Sequence, residues 1–294
     1  MKEKYWVITN RAIDADTREV LNEYLLNLKV SNKADTTIDK YRKILEMFFV
    51  ECQVPLEVLS SEDVLQWIND YGTDKKEKTM ALVISALSTF FAFCQAEDYL
   101  DRALMKRRWR PKIPNALPKY LDDAEVASIK KSAETLSVRD RAIVLFLLSS
   151  GCRRSEMSRL NVTDVDLDKR TASVVGKGKK VREVHFSEEC SLLLQAYLSN
   201  RLVNGESLFL NRFGERLQPM GIYKITRKLG EKAGLLQHIS PHSLRHTFAT
   251  TMLSRGADIQ FIGDELGHTD LNTTRVYAQI PTEEMMNAYK KIME

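Results

Sequence analysis

The chain has 294 residues, of which 44% are hydrophobic, and a formal net charge of +4 at pH 7. This length favours two domains, and the hydrophobic fraction argues against a disordered protein. The small positive total decides nothing about nucleic-acid binding, but the positive excess is concentrated in KRRWRPK (106–112) and GKGKKVR (176–182).

The chain shows no targeting or disulfide pattern. Its four cysteines, at positions 52, 94, 152 and 190, lack the spacing of a disulfide framework or a zinc cluster, which fits a reducing, cytoplasmic compartment. The N-terminus does not resemble a signal peptide. No window approaches the ~20 apolar residues of a membrane span, so we expect no membrane contact.

The first hundred residues predict a module of four or five helices. Apolar positions recur at helical spacing in residues 21–28 and 38–49, and Asp35-Thr36-Thr37 is expected to cap the second helix. SSEDVLQWINDYG predicts a third helix that ends near Gly72, and the apolar segment after Glu77 predicts a long fourth one.

Residues 109–119 contain three prolines and predict a linker, because proline breaks helices and favours extended backbone. We therefore expect one domain over 1–108 and a second over 120–294. In the second, a helix begins near Asp122, and RDRAIVLFLLSSGCRRSEMSRL predicts a buried helix, a break at Gly151 and another helix. TASVV and VREVHF predict a β-hairpin around GKGKK.

The segment PHSLRH (241–246) predicts an anion-binding helix start. Pro241 suits a first helical turn, and His242 and Arg245 then share one face near the positively polarised N-terminus. Taken alone, the segment is better explained as a capped helix start with solvated charges. His242 and His246 are four residues apart and could share a zinc ion, but this site is disfavoured, because Ser243 stands where the HExxH pattern needs Glu, and no third ligand is nearby.

Two further segments carry basic residues beside glycines. In GCRRSE (151–156), an arginine after a helix break suits a phosphate, because the guanidinium donates two parallel hydrogen bonds. Arg154 fits a surface position better. In GKGKK (176–180), Lys177 would project from a turn whose glycines allow close approach of a ligand, although a flexible basic turn is the simpler explanation. The GxxxxGK[ST] pattern of nucleotide-binding loops is missing.

Together with LGHTDLNTTRVYAQ (266–279), these motifs resemble the signature of the tyrosine recombinases, the family of λ integrase, Cre and the Xer proteins. Four motifs occur in the family's order, and the resemblance covers about the whole chain. It implies a mainly α fold. A helical, SAM-like core-DNA-binding domain (1–108) and an α+β catalytic domain with a small β-sheet (120–294) would form a C-shaped clamp on DNA.

The resemblance also implies a mechanism, in which Tyr277 attacks a DNA phosphodiester and becomes linked to its 3′-phosphate. Arg153 and Arg245 would hold the non-bridging oxygens, and His268 would hydrogen-bond the phosphate. His242 would handle the tyrosine proton, and Lys177 would protonate the leaving 5′-oxygen. Glu156 would orient Arg153 or a histidine. Neither a metal ion nor another cofactor is expected.

The expected partner is a double-stranded DNA recombination site. Contacts to the DNA backbone are predicted at Lys106, Arg107, Arg108, Arg110, Lys112, Lys179 and Arg182. The segment 281–294 predicts a helix with Met285, Tyr289 and Ile292 on one stripe. By resemblance, it would dock on a neighbouring subunit, giving a dimer on each site and a tetramer in the synapse.

Two other kinds of protein could carry the same set of residues. A type IB topoisomerase would relax DNA with a similar set of residues, and a DNA-binding protein could keep the fold without activity. The terminal segment favours a recombinase over the former, and candidates at all six positions argue against the latter.

Overall fold

The computed structural model describes residues 5–113, 118–176, 180–201, 203, 205–268 and 272–277. Contacts divide the chain into two units, Met1–Asn115 and Ala116–Glu294, and the division falls inside the predicted linker. Trp109, at the start of that linker, packs against the core of the first unit. The described residues are mostly helical with one small sheet, as the sequence predicts.

The first unit is built from four α-helices within its described residues. They are α1 (Ala15–Val30), α2 (Asp35–Cys52), α3 (Ser61–Gly72) and α4 (Glu77–Ala96). The side chain of Ser60 accepts from the backbone N–H of Asp63, whose carboxylate accepts from Ser60 N–H, so a capping box starts α3. The predicted apolar stripes form the core of the unit, in which Phe48 packs edge-on against Phe49, Trp67 and Phe91.

The start of α2 differs from the sequence prediction. The residue at the cap is Ala34, and no side chain caps this helix. Asp35 is instead the first helical residue, and its carboxylate accepts hydrogen bonds from Lys29 Nζ, at 2.8 Å, and from the Tyr5 hydroxyl. Asp35 therefore bonds Lys29 of α1 and Tyr5 instead of capping α2, which the sequence alone could not show.

Helix α4 is apolar enough to pass a length-and-composition test for a membrane span, although the sequence was expected to contain no such segment. It has 20 residues, and an 18-residue window within it has a mean hydropathy of 1.7, enough by length and composition to cross a membrane. However, its apolar side chains, among them Ile84, Leu87, Phe90 and Phe91, are buried in the core of the first unit. A core helix explains this composition.

The second unit places helices around a short antiparallel sheet. The helices are α5 (Asp123–Ala133), α6 (Val138–Ser150), α7 (Arg154–Arg159), α8 (Glu188–Asn200), α9 (Pro219–Lys232), α10 (Pro241–Ser254), α11 (Ile259–Leu266) and α12 (Asn272–Arg275). The strands are β1 (Val165–Asp166), β2 (Thr171–Val175) and β3 (Val181–His185), in the order β1-β2-β3. β2 and β3 form the predicted hairpin, with Val175 opposite Val181, whereas β1 was not predicted.

Helix α6 lies at the centre of the second unit and is buried on nearly all sides, between α8 and α10. It ends at Gly151, which has a φ of 59°. A Cβ at this position would lie 2.4 Å from Cδ1 of Phe248 on α10. Glycine therefore permits both the left-handed turn and the close approach that brings Arg153 beside α10.

Candidate active site

Five of the residues singled out from the sequence lie around one cavity of about 590 Å³ in the second unit. They are Arg153, Arg182, His242, Arg245 and His268. The other lining residues are Gly176, Lys180, Asp264, Gly267 and Thr273. Basic side chains outnumber the single carboxylate, so the cavity suits an anion.

Arg245 is fixed in place by the backbone around it. It is 2% exposed, and its guanidinium donates to the carbonyl oxygens of Gly151, at 2.8 Å, and Leu266, at 2.7 Å. These carbonyls end α6 and α11, where helices leave backbone acceptors without intrahelical partners. Burial, with Arg153 nearby, lowers the pKa of Arg245 to about 10, so this guanidinium stays charged at neutral pH.

Arg153 is held by a buried carboxylate, as the sequence analysis expected. Glu156 accepts from Arg153 NH1 and from the backbone N–H of Arg153, both at 2.7 Å. It also binds the fork of Arg182, through NH1 at 3.0 Å and NH2 at 2.8 Å. Burial raises the pKa of Glu156, but the hydrogen bonds from Arg182 and Arg153 outweigh it and lower that pKa to about 2.

Arg182, for which the sequence predicts a contact with DNA, lines the cavity but is largely buried. Its side chain is 11% exposed, and its Nε donates to the carbonyl oxygen of Glu265 at 2.9 Å. Its side chain also packs against Gly267, where a Cβ would lie 2.9 Å from Arg182 Cδ. With its donors used internally, Arg182 connects β3 to Glu156 and to the end of α11.

His268 follows α11 and bridges two neighbours. Its Nε2 lies 3.0 Å from NH2 of Arg245, and its Nδ1 lies 2.8 Å from Oγ1 of Thr274 on α12. Because an arginine can only donate, Nε2 accepts and Nδ1 carries the proton. Burial, and then Arg245, lower the pKa of His268 to about 4, so the ring is neutral at neutral pH.

The hydroxyl of Tyr277 contacts His246, for which the sequence motifs suggest only a disfavoured zinc site. Its oxygen lies 2.6 Å from His246 Nδ1, whereas the sequence analysis expected His242 to handle its proton. Tyr277 is 2% exposed. Burial raises its pKa, although Arg245 and Arg153 act in the opposite direction. In the sequence, the second histidine of PHSLRH was the one feature that could have pointed to a contact with Tyr277.

Several predicted residues lie outside the described residues. They are Lys177, Lys179 and the segment 281–294. Gly176 and Lys180, the described residues on either side of 177–179, both line the cavity, and Gly176 N–H donates to the Lys180 carbonyl at 2.8 Å.

The five predicted DNA-contact residues of the first unit, Lys106, Arg107, Arg108, Arg110 and Lys112, are all exposed. Arg107 and Arg108 lie on a short 3₁₀ turn, Arg107–Trp109, and Lys106 Nζ lies 6.0 Å from the centre of the Trp109 ring. Their exposure leaves these charges available to a DNA backbone, and their contact with DNA stays a prediction.

Within the described ranges, no group of three or more His, Cys, Asp or Glu residues could hold a metal ion. His242 and His246 are neighbours, with ring centres 4.3 Å apart, but their surroundings in that part of the chain add no further ligand.

Replacing Glu156 by glutamine is expected to lower the free energy of unfolding by about 3 kcal/mol at neutral pH, because Arg182 would lose its buried counter-charge. A pKa lowered from 4.5 to about 2 gives stability that is present above pH 4.5 and lost as the pH falls through about 2. The difference in the free energy of unfolding between wild type and variant should therefore shrink as the pH falls from 4.5 to about 2. Urea unfolding at several pH values measures it, and the exposed Glu183→Gln is the control. A similar loss in both variants would contradict this account.

Two family profiles match the chain. The profile described as the Phage integrase family matches residues 119–284, more than half of the chain, and that of the Phage integrase N-terminal SAM-like domain matches residues 21–98. The candidate catalytic residues all lie in the first match.

Curated relatives match over nearly the full length. The chain is 34% identical over 278 residues to tyrosine recombinase XerA of Pyrococcus horikoshii, covering 93% of both proteins. It is 32% identical over 291 residues to tyrosine recombinase XerC of Thermodesulfovibrio yellowstonii, covering 94% of this chain and 96% of that one. These matches favour recombination over topoisomerase activity or an inactive DNA-binding protein.

Solved structures show the same fold. A crystal structure of XerA recombinase aligns with a TM-score of 0.55 and 28% identity, covering 94% of this chain and 99% of that one. The XerH recombinase bound to a palindromic difH substrate aligns with a TM-score of 0.75 and 22% identity, over 98% of this chain and 92% of that one. By its sequence profile, its full-length relatives and its fold, the chain belongs to the phage integrase family and is a tyrosine recombinase, an enzyme that breaks and rejoins DNA in site-specific recombination.

Proposed function

We propose that the cavity binds one DNA phosphodiester and that Tyr277 attacks its phosphorus, forming a covalent 3′-phosphotyrosyl bond and releasing a 5′-hydroxyl. The observation that carries this proposal is the meeting of Arg153, His242, Arg245 and His268 around one cavity, although they come from three separate segments. Tyr277 contacts the helix that carries two of these side chains.

The arginines supply the charge stabilisation. The transition state gathers negative charge on the non-bridging oxygens, and Arg153 and Arg245 bind them. One donor of this kind typically contributes about 3–4 kcal/mol to lowering the barrier. His268 takes part once the phosphate is bound, because a nearby anion raises the pKa of its imidazole and allows Nε2 to donate.

Lys177 protonates the leaving 5′-oxygen in this proposal, since an alkoxide leaves poorly without a proton. Its flanking residues Gly176 and Lys180 line the cavity, which supports a position within reach. The phosphotyrosyl bond keeps the energy of the broken phosphodiester, so rejoining requires no nucleotide. The same set of cations takes the place of a metal ion at the phosphate.

The proposed substrate is a double-stranded recombination site, and the exposed basic residues of 106–112 contact its backbone. Such contacts set affinity and register more than sequence preference, and they weaken binding as salt concentration rises. We place the protein in the cytoplasm, where Xer-type recombinases would meet DNA. We also propose that the DNA-binding domain comprises residues 1–108 and the catalytic domain residues 120–294.

The proposed assembly is a dimer on each site and a tetramer in the synapse, linked by the segment 281–294. Truncation after Ile280 should leave binding to a half-site intact but impair synapsis, because the Met285, Tyr289 and Ile292 stripe needs an apolar surface to cover it. Mobility shift and light scattering measure both steps. Synapsis and recombination at the full-length rate would rule out docking on a neighbour.

Trapping the covalent adduct tests the proposed chemistry directly. A nicked suicide substrate, which loses the attacking 5′-hydroxyl by diffusion, should accumulate a protein–DNA adduct visible on a denaturing gel. Mass spectrometry of the digested adduct should then show nucleotide attached to Tyr277 through a 3′-phosphate. Attachment to another residue, or through a 5′-phosphate, would refute the assignment.

A further inference from the structure

The contact between Tyr277 and His246 places an imidazole on the nucleophile itself. The Tyr277 oxygen and His246 Nδ1 are 2.6 Å apart, and the two ring centres are 5.5 Å apart. This is hydrogen-bond distance between a reacting oxygen and a group able to take its proton.

Rigid surroundings hold this pair in place. His246 lies on α10, a helix of 14 residues that packs against α6 and α11. The Tyr277 ring belongs to an apolar cluster with Phe248, Ala249, Ile262 and Leu266. The two partners therefore approach each other from packed elements.

The two histidines of α10 face different groups. His242 is exposed and lines the cavity with Arg153 and Arg245. His246, one turn later, is half-buried and contacts Tyr277. The ring centres of His242 and His246 are 4.3 Å apart. The two rings therefore lie side by side between the cavity and the Tyr277 hydroxyl.

The protonation states suit transfer during the reaction. Burial, and then His242, Arg245 and His268 nearby, lower the pKa of His246 to about 4, so its ring is neutral at neutral pH. The raised pKa of Tyr277 keeps the proton on the phenol beforehand. As the phenol oxygen bonds phosphorus, its proton becomes far more acidic, so a weak base is then sufficient.

We propose that His246 is a catalytic residue that accepts the Tyr277 proton through Nδ1 during cleavage and returns it during rejoining; this rests on Tyr277 being the nucleophile. In cleavage, the bond from the Tyr277 oxygen to phosphorus forms while the phosphorus–5′-oxygen bond breaks. The phenolic proton moves to Nδ1, and the 5′-oxygen takes a proton from the general acid. In rejoining, each of these transfers reverses.

His246→Asn separates proton transfer from positioning, because the asparagine Oδ1 can accept a hydrogen bond where Nδ1 stood but cannot take the proton. The substrate carries sulfur in place of the bridging 5′-oxygen, so its leaving group needs no general acid and the cleavage rate reports on the nucleophile. We expect normal DNA binding and cleavage slower by about 10²–10⁴-fold.

The pH profile distinguishes a base from a structural residue. Between about pH 6 and 8 the wild-type rate should be flat, because His246 is already neutral there. The Asn variant should gain about tenfold per pH unit, because hydroxide must replace the lost base. A slower but flat profile would show a positioning role alone and overturn the proposal.

Two further variants complete the experiment. His246→Ala should regain cleavage when imidazole is added, and His242→Asn should keep the flat profile. If the rate of the His242 variant rose with pH and that of the His246 variant did not, His242 would be the base that accepts the Tyr277 proton. Wild-type rates in the His246 variants, with the adduct still on Tyr277, would overturn this inference and leave the proposed function intact; an adduct on another residue would overturn both.

Discussion

Replacing Tyr277 by phenylalanine is expected to abolish strand cleavage and to leave DNA binding unchanged. The change removes one oxygen, which in our proposal is the nucleophile, and keeps the ring within its apolar cluster. Removing a catalytic nucleophile typically costs at least about 10⁴-fold in rate. The lost hydrogen bond to His246 should lower the free energy of unfolding by only about 1 kcal/mol.

A denaturing gel with the suicide substrate measures adduct formation, and a mobility shift measures binding. The matched control is Tyr120→Phe, because Tyr120 packs against the same apolar cluster. It should form adduct at the wild-type rate. Adduct formation by the Tyr277 variant would mean that another residue attacks the phosphate, and the roles assigned around the cavity would have to be redrawn.

Much of this molecule follows from local sequence patterns. The helix limits around Ser60 and Gly151 are set by capping residues and a glycine, and the hairpin follows from two short β-branched runs. The candidate site residues could be chosen from the sequence because four motifs occur in a recognisable order. Such signals are local, so one sequence is enough to read them.

The remaining features depend on tertiary partners. Arg182 belongs to a basic hairpin that suggests solvent exposure, but Glu156 and the end of α11 surround it in the fold. His242 and His246 are equivalent in the sequence, one turn apart on the same helix. Tyr277, more than thirty residues later in the chain, contacts the second one. No local pattern shows which histidine receives that contact.

Replacing Arg245 by lysine is expected to slow cleavage by about 10²–10³-fold, although the positive charge is kept. The planar guanidinium donates to Gly151, Leu266 and His268 while facing the cavity, and an ammonium group cannot span these acceptors. A buried carbonyl left without its donor should also lower the free energy of unfolding by about 1–3 kcal/mol.

The loss should persist on the substrate with a bridging 5′-sulfur, because Arg245 stabilises charge on the non-bridging oxygens and sulfur relieves only the leaving group. Lys177→Ala should recover on that substrate, since its role is to protonate the leaving oxygen. The control for the arginine change is Arg154→Lys, because Arg154 is exposed and stacks on Tyr223, 5.7 Å from the ring centre. Urea unfolding separates the stability effect from the rate effect. Equal recovery of the Arg245 and Lys177 variants on the sulfur substrate would contradict the division of labour between phosphate binding and leaving-group protonation.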